Sequence, residues 1–293
     1  MRILITGASG FLGGYLVRAA QSSGELIGTY WEHPVDLPGI EWYRMDLTNL
    51  VEVAQFVRKI QPKIILHSAA LANLDTCEVQ KDLAWRTNVD AARMMAAVAR
   101  EIGSRLVHIS TDMVFDGKKG NYSEDDAPLP ISYYGHSKKT AEDDVLHTYP
   151  DALVVRVALL YGFPLTHGEN FSAEIYHRLR AGQKVNVFGD QFRTPIWAGN
   201  AAAAIIELAG KHFRGILHLA GSERISRSNF ARELARQMGA EMQLLEEISM
   251  YEVNWLVPRP QDVSLKIDRA RQILQTPLLD CREGIREMLL MAP

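Results

Sequence analysis

Tyr134 and Lys138 stand four residues apart in Tyr134-Gly135-His136-Ser137-Lys138. That spacing puts both side chains on one face of a helix. A free phenol titrates near pH 10, about three units too high for ready proton exchange at pH 7. An ammonium beside it favours the phenolate, so Lys138 is expected to lower the Tyr134 value. Tyr134 then reads as a general acid toward a carbonyl group. Thr111 follows the β-rich run Arg105–Ser110. A hydroxyl at that strand end would bond the reacting oxygen and stabilise developing alkoxide charge. Ser110 is its neighbour, and adjacent strand residues point oppositely, so one of the two serves. Asn88 opens the helical stretch Asn88–Ile102. It is expected either to hold a water or backbone group of a proton relay or to cap that helix.

Such chemistry needs a hydride donor, and the N-terminus supplies a place for one. Thr6-Gly7-Ala8-Ser9-Gly10-Phe11-Leu12-Gly13 follows a first strand-like run and opens the first helix. Gly7 permits a tight turn, Gly10 lets backbone approach a pyrophosphate, and Gly13 lets helix and strand pack closely. The helix start carried by Ser9, Phe11 and Leu12 offers N–H groups to phosphate. A dinucleotide site follows, with Lys138 also placed to bond the nicotinamide ribose. The acid that holds an NAD ribose is expected near Trp31, in Tyr30-Trp31-Glu32-His33. It is absent or displaced to Glu32, no arginine stands in that segment, and His33 is a weak substitute. NADP(H) is therefore expected over NAD(H).

These residues are carried by alternating elements. Strand-like runs at Arg2–Thr6, Leu26–Tyr30, Glu41–Met45, Lys63–Leu66, Arg105–Ser110 and Leu153–Val157 alternate with helical stretches at Phe11–Ser22, Leu47–Ile60, Asn88–Ile102 and Ser137–His147. That alternation means βαβ units and a parallel sheet. After Tyr161 the pattern loosens; Ala198–Ala209 and Ile225–Met238 read as helices and Gly215–Leu219 as one more strand. The expected fold class is α/β, a Rossmann-type doubly wound parallel sheet. At roughly 150 residues per domain, 293 residues make about two domains.

Composition narrows the setting. Apolar residues make up 47%, charged residues 23%, and the net charge is −3. Nothing marks a nucleic-acid or membrane surface. Cys77 and Cys281 form no CxxC pair, and the histidines show no HxxxH or HExxH spacing. Buried thiols, no metal and a cytoplasmic location are expected. Arg193 and Arg259 are candidates to clamp a diphosphate, against the plainer reading of a solvated surface or salt bridge.

With the glycine loop, Thr111, Tyr134 and Lys138 in this order, the sequence resembles the extended short-chain dehydrogenase/reductase family. More narrowly it is similar to the dTDP-4-dehydrorhamnose reductase group. That likeness runs through Ser110-Thr111-Asp112-Met113-Val114-Phe115-Asp116-Gly117, Gly168-Glu169-Asn170-Phe171, Asp190-Gln191-Phe192-Arg193-Thr194-Pro195, Arg259-Pro260 and Leu265-Lys266-Ile267-Asp268. It covers essentially the whole chain.

The resemblance implies an NAD(P)-binding domain from residues 1–161 and 196–220. It implies a smaller substrate-binding domain from 162–195 and 221–293. The implied activity is reduction of a nucleotide-linked 4-keto sugar, with Tyr134 as proton donor. Asp46 and Leu47 match the adenine contact, and Ala69 and Ala70 the cofactor-lining loop. Asp112, Met113, Asn170, Arg193 and Arg259 fall on the substrate side. Met113 stands where the group usually has tyrosine, and Ile196 where threonine is common. Two other roles share these motifs: an NADP-binding regulatory subunit like methionine adenosyltransferase β, and a nucleotide-sugar epimerase or dehydratase. Relatives often dimerise, so the resemblance implies a homodimer.

Overall fold

Seven β-rich runs, six of them largely buried, become the parallel strands of one sheet. They are β1 (Arg2–Thr6), β2 (Glu25–Tyr30), β3 (Ile40–Arg44), β4 (Ile64–His67), β5 (Arg105–Thr111), β6 (Leu153–Val157) and β7 (Gly215–Leu219). This computed structural model describes residues 1–35, 37–166, 168 and 170–293. The strand order is β7-β6-β5-β4-β1-β2-β3. The direction of winding reverses between β1 and β4, and a crevice opens there beyond the strands' carboxyl ends. All six pairings are parallel, as expected for strands buried on both faces.

Alternate residues feed two cores. Ile3, Ile5, Leu66, Val107 and Val155 pack on one face against α1 (Phe11–Ala20) and α6 (Ala198–Ala209). Leu4, Ile65, Leu106 and Val154 pack on the other against α2 (Leu50–Ile60), α3 (Ala91–Ile102) and α4 (Tyr133–Thr148).

Local hydrogen bonds move several helix starts. α2 begins at Leu50 rather than Leu47, because the Asn49 side chain accepts from the Glu52 amide. α4 begins four residues before Ser137, because the Ser132 hydroxyl accepts from the Gly135 amide at 3.1 Å. Before α3 the chain winds through a π-helical turn, Arg86–Asp90. Asn88 lies inside that turn, so it does not cap the helix as one reading expected.

A smaller lobe gathers α5 (Phe171–Arg180), α7 (Arg227–Met238), α8 (Cys281–Leu289) and a parallel ribbon of Val185–Phe188 with Leu245–Ile248. Phe163, Tyr176, Val187, Phe230, Leu234 and Ile285 form its core. The tail does not stay with this lobe throughout. Val263, Leu265, Ile267 and Ala270 return to the α1/α6 core of the sheet, and Tyr122 pairs with Leu265. Both cysteines are buried and free. Among the described residues no helix is long and apolar enough to cross a membrane.

Candidate active site

The glycine loop, β2 and the loops after β3 and β4 enclose a cavity of about 380 Å³. Gly7, Ser9, Gly10, Trp31, Asp46, Leu47, Ala69 and Ala70 line it. Gly7 has φ +65°, and an added Cβ would meet the Ala69 Cα at 2.7 Å. Only glycine fits that approach. Among the described residues no side chain caps the start of α1, which leaves its first amides open to a ligand. The Leu12 side chain is in the core, Phe11 meets Tyr15 edge-on, and Gly13 permits contact with the Gly7 carbonyl. Asp46 accepts from both the amide and the hydroxyl of Thr48, each at 2.8 Å, which fixes the turn after β3. The loop after β4 is clamped from behind. Asn88 bonds both the amide and the carbonyl of Leu71, and also the Ser137 hydroxyl in α4. An uncapped helix start over a cradle that admits no Cβ fits a dinucleotide's phosphates.

One cation escaped the sequence reading. Arg44 ends β3 directly beside Tyr30 of β2. Its guanidinium stands 4.7 Å over the Trp31 ring, and Nε donates to the Trp31 carbonyl at 3.2 Å. The segment after β2 does lack arginine, as read; sheet register brings one in from the next strand.

At the end of β5, Thr111 donates to Asp112 Oδ1 at 3.2 Å and accepts from the Met113 amide at 3.2 Å. Tyr134 is packed with Cys77, Ala84 and Met113. Burial pushes its phenol well above the ordinary value; the Thr111 hydroxyl, which favours the phenolate, partly offsets this, while Asp112 and Cys77 add to it. The expected lowering by Lys138 is not what this arrangement does. Lys138 donates to the Ile109 carbonyl at 2.7 Å, with Nζ 3.3 Å from His108 Nε2. Its ammonium is drawn down onto the β5 backbone, and burial lowers it to about 8 against the opposing pull of Glu142. Ser110 points to the sheet face opposite Thr111 and donates to Glu142, itself in a bidentate pair with Arg156. Thr111, not Ser110, is thus the hydroxyl beside Tyr134.

Asp112 is 4% exposed, and its Oδ2 is buried without a hydrogen-bond partner. Burial pushes its carboxyl up to about 6, with Arg193 and Thr111 pulling the other way. Arg193 and Arg259 do not sit on a solvated surface. Arg193 is buried and donates to the carbonyls of Phe192, Pro260 and Gln261. Arg259 bridges to Asp75 at 3.0 Å and lies 5.0 Å over Trp255. Asn170 spends both ends of its side chain locally. It caps α5 through the Ser172 and Ala173 amides and donates to the Gly162 carbonyl. Glu169, in the same motif, and His167 lie outside the described residues. A further arginine was missed. Arg227 stands 3.9 Å over Phe171, its Nε is buried without a partner, and burial beside Arg193 lowers it to about 9.

Known proteins resemble this chain over nearly its whole length. The family described as RmlD substrate binding domain matches residues 1–292. A probable low-salt glycan biosynthesis reductase of Haloferax volcanii is 32% identical, over 91% of this chain and 90% of its own length. The crystal structure of a hypothetical dTDP-4-dehydrorhamnose reductase from Sulfolobus tokodaii superposes with TM-score 0.87 at 38% identity, covering 97% of this chain and 99% of the other. A dTDP-4-dehydrorhamnose reductase of Bacillus anthracis, solved in complex with NADP, superposes with TM-score 0.86 at 28% identity, covering 99% of each chain.

Proposed function

Because the chain belongs to the RmlD substrate binding domain family, within the extended short-chain dehydrogenase/reductases, we propose that it reduces the carbonyl of a nucleotide-linked 4-keto sugar. It is an NAD(P)-dependent oxidoreductase, and its bound dinucleotide supplies the hydride. The observation that carries the reading is the Thr111 hydroxyl set beside Tyr134 at the end of β5. Asn88 joins the loop lining the dinucleotide cavity to the helix of Tyr134. Thr111 orients the carbonyl oxygen and Tyr134 gives it a proton. Lys138, held on Ile109, positions the nicotinamide ribose. Arg227, whose Nε has no partner among the described residues, is the cation for a diphosphate, with Arg193 and Arg259 adding positive charge beside it, in keeping with guanidinium's affinity for phosphate oxygens.

We read Arg44 on Trp31 as the feature that favours NADP(H), since it places a cation beside the position of a 2′-phosphate. A homodimer in the cytoplasm suits such an enzyme. The test is to incubate the protein with NADPH and a panel of dTDP- and UDP-linked 4-keto sugars and to weigh the products. A nucleotide-sugar heavier by two hydrogens is expected. Cofactor binding with no reduction of any sugar would favour the regulatory-subunit reading instead.

A further inference from the structure

The Lys138 ammonium carries three N–H donors and no acceptor. One donor goes to the Ile109 carbonyl at 2.7 Å, and a second meets His108 Nε2 at 3.3 Å. His108 is fully buried. Burial, with Lys138 and His67 adding to it, holds its imidazole well below the ordinary value. The ring is therefore neutral and carries a single proton. Facing an ammonium, Nε2 must be the bare nitrogen, so the proton sits on Nδ1. That nitrogen is buried and has no partner among the described residues. The ring thus spends its acceptor on Lys138 and leaves its donor unmet. An apolar side chain of similar size would fill the same space without that cost.

Register sets Thr6, His67 and His108 side by side on β1, β4 and β5. The His67 and His108 rings lie 5.3 Å apart, centroid to centroid. His67 Nδ1 is 2.8 Å from the Thr6 hydroxyl, whose oxygen accepts from the Ala69 amide at 3.3 Å. Ala69 lines the dinucleotide cavity. A line of side chains thus runs from the cofactor loop across the sheet to Lys138. The titratable groups facing Lys138 are His108 of β5, His67 of β4 and, a turn away on α4 itself, Tyr134 and Glu142. Glu142 is committed to Arg156 and Ser110.

We propose that His108 is a positioning residue for Lys138, an inference that rests on the reductase reading above. With the Ile109 carbonyl it occupies two of the three ammonium donors and leaves the third for the nicotinamide ribose. His108 touches no reacting atom. It fixes where Lys138 sits and favours its charged form.

The test compares His108→Leu and His108→Phe, which fill the space without an acceptor, with His108→Gln, whose side-chain carbonyl can stand in for Nε2. Whichever apolar variant folds, by its thermal melt, carries the comparison. Lys138 is followed in the free protein by NMR of lysine isotope-labelled at Cε, its signal assigned by its loss in Lys138→Arg. Wild type should titrate near pH 8. The apolar variant should titrate at least about one pH unit lower, because the ammonium has lost an acceptor, and His108→Gln should recover most of the difference. Turnover of a keto sugar should follow. The apolar variant should be about fivefold slower than wild type at pH 8 and nearly equal to it at pH 6, as a one-unit shift requires. An apolar variant whose Lys138 titrates as in wild type, or His108→Gln titrating as low as the apolar variant, would overturn the proposal. So would turnover lost equally at both pH values. Wild type that reduces no keto sugar would instead sink the reductase reading, and the titrations in the free protein would still decide for or against His108.

Discussion

On the α2–α4 face of the sheet, buried polar side chains are paired off across neighbouring strands. Thr6 bonds His67 at 2.8 Å, Lys138 bonds the Ile109 carbonyl, and Ser110, Glu142 and Arg156 form one cluster that reaches His218. Across the crevice, in the smaller lobe and the tail, arginines lie on rings: Arg224 over Phe192 at 4.0 Å while paired with Asp262, Arg259 over Trp255 while paired with Asp75, and Arg227 over Phe171. Arg227 still has a buried nitrogen without a partner. The first region spends its hydrogen bonds on itself and so holds Thr111, Tyr134 and Lys138 in place. In the second, Arg227 keeps a donor in reserve, which suits an anionic ligand that comes and goes. Rigidity and vacancy are therefore assigned to opposite walls.

Breaking the paired wall should cost the most. Glu142→Ala strands the buried Arg156 guanidinium and should destabilise the fold by about 3–5 kcal/mol, read by urea denaturation. A loss under about 1 kcal/mol would mean the cluster does not bind the wall together. Tyr134→Phe should cut kcat by about a thousandfold, roughly 4 kcal/mol of barrier, with cofactor affinity unchanged.

Asp112 sharpens the comparison, because among the described residues one of its two carboxyl oxygens is buried without a partner. Its carboxyl is raised in the fold from 3.8 to about 6. The folded state therefore holds the proton more tightly than the unfolded chain. No penalty exists below pH 4, and one develops as pH rises to 6. Asparagine does not titrate, so Asp112→Asn should be more stable than wild type by about 2–3 kcal/mol at pH 8 and equal to it near pH 3.5. Denaturation curves at the two pH values decide this.

Smaller effects are expected on the cationic wall. Arg227→Ala should raise KM for the nucleotide-sugar about tenfold, close to 1.4 kcal/mol, with little change in Tm. A large Tm drop with normal KM would make Arg227 a packing residue. Arg44→Ala should raise KM for NADPH severalfold, about 1 kcal/mol, and leave NADH nearly untouched.

The paired half was the more legible in sequence. β1, β6, β7 and α6 run where their apolar patterns put them, because strands buried on both faces read as continuous apolar runs. The glycine loop announced its own turn. In the smaller lobe, α5 and the Val185–Phe188/Leu245–Ile248 ribbon went unread. These strands are four residues each, carry Glu246 and Glu247 in place of apolar residues, and pair across sixty positions. At the site, spacing placed Tyr134 and Lys138 on one face. It did not show that a bare β5 carbonyl would take the Lys138 ammonium. Arg44 and Arg227 were invisible for a related reason. Each acts on a ring, Trp31 or Phe171, that only pairing or packing of separate segments brings near.

The central claim is hydride delivery to a sugar carbonyl held between these two walls. Its most direct test uses NADPH deuterated at the transferred position, with a dTDP-4-keto sugar and product analysis by NMR. Deuterium at sugar C4 in wild type, and almost none formed by Tyr134→Phe, is the result predicted. Deuterium retained on the cofactor, or product that carries none at C4, would contradict it.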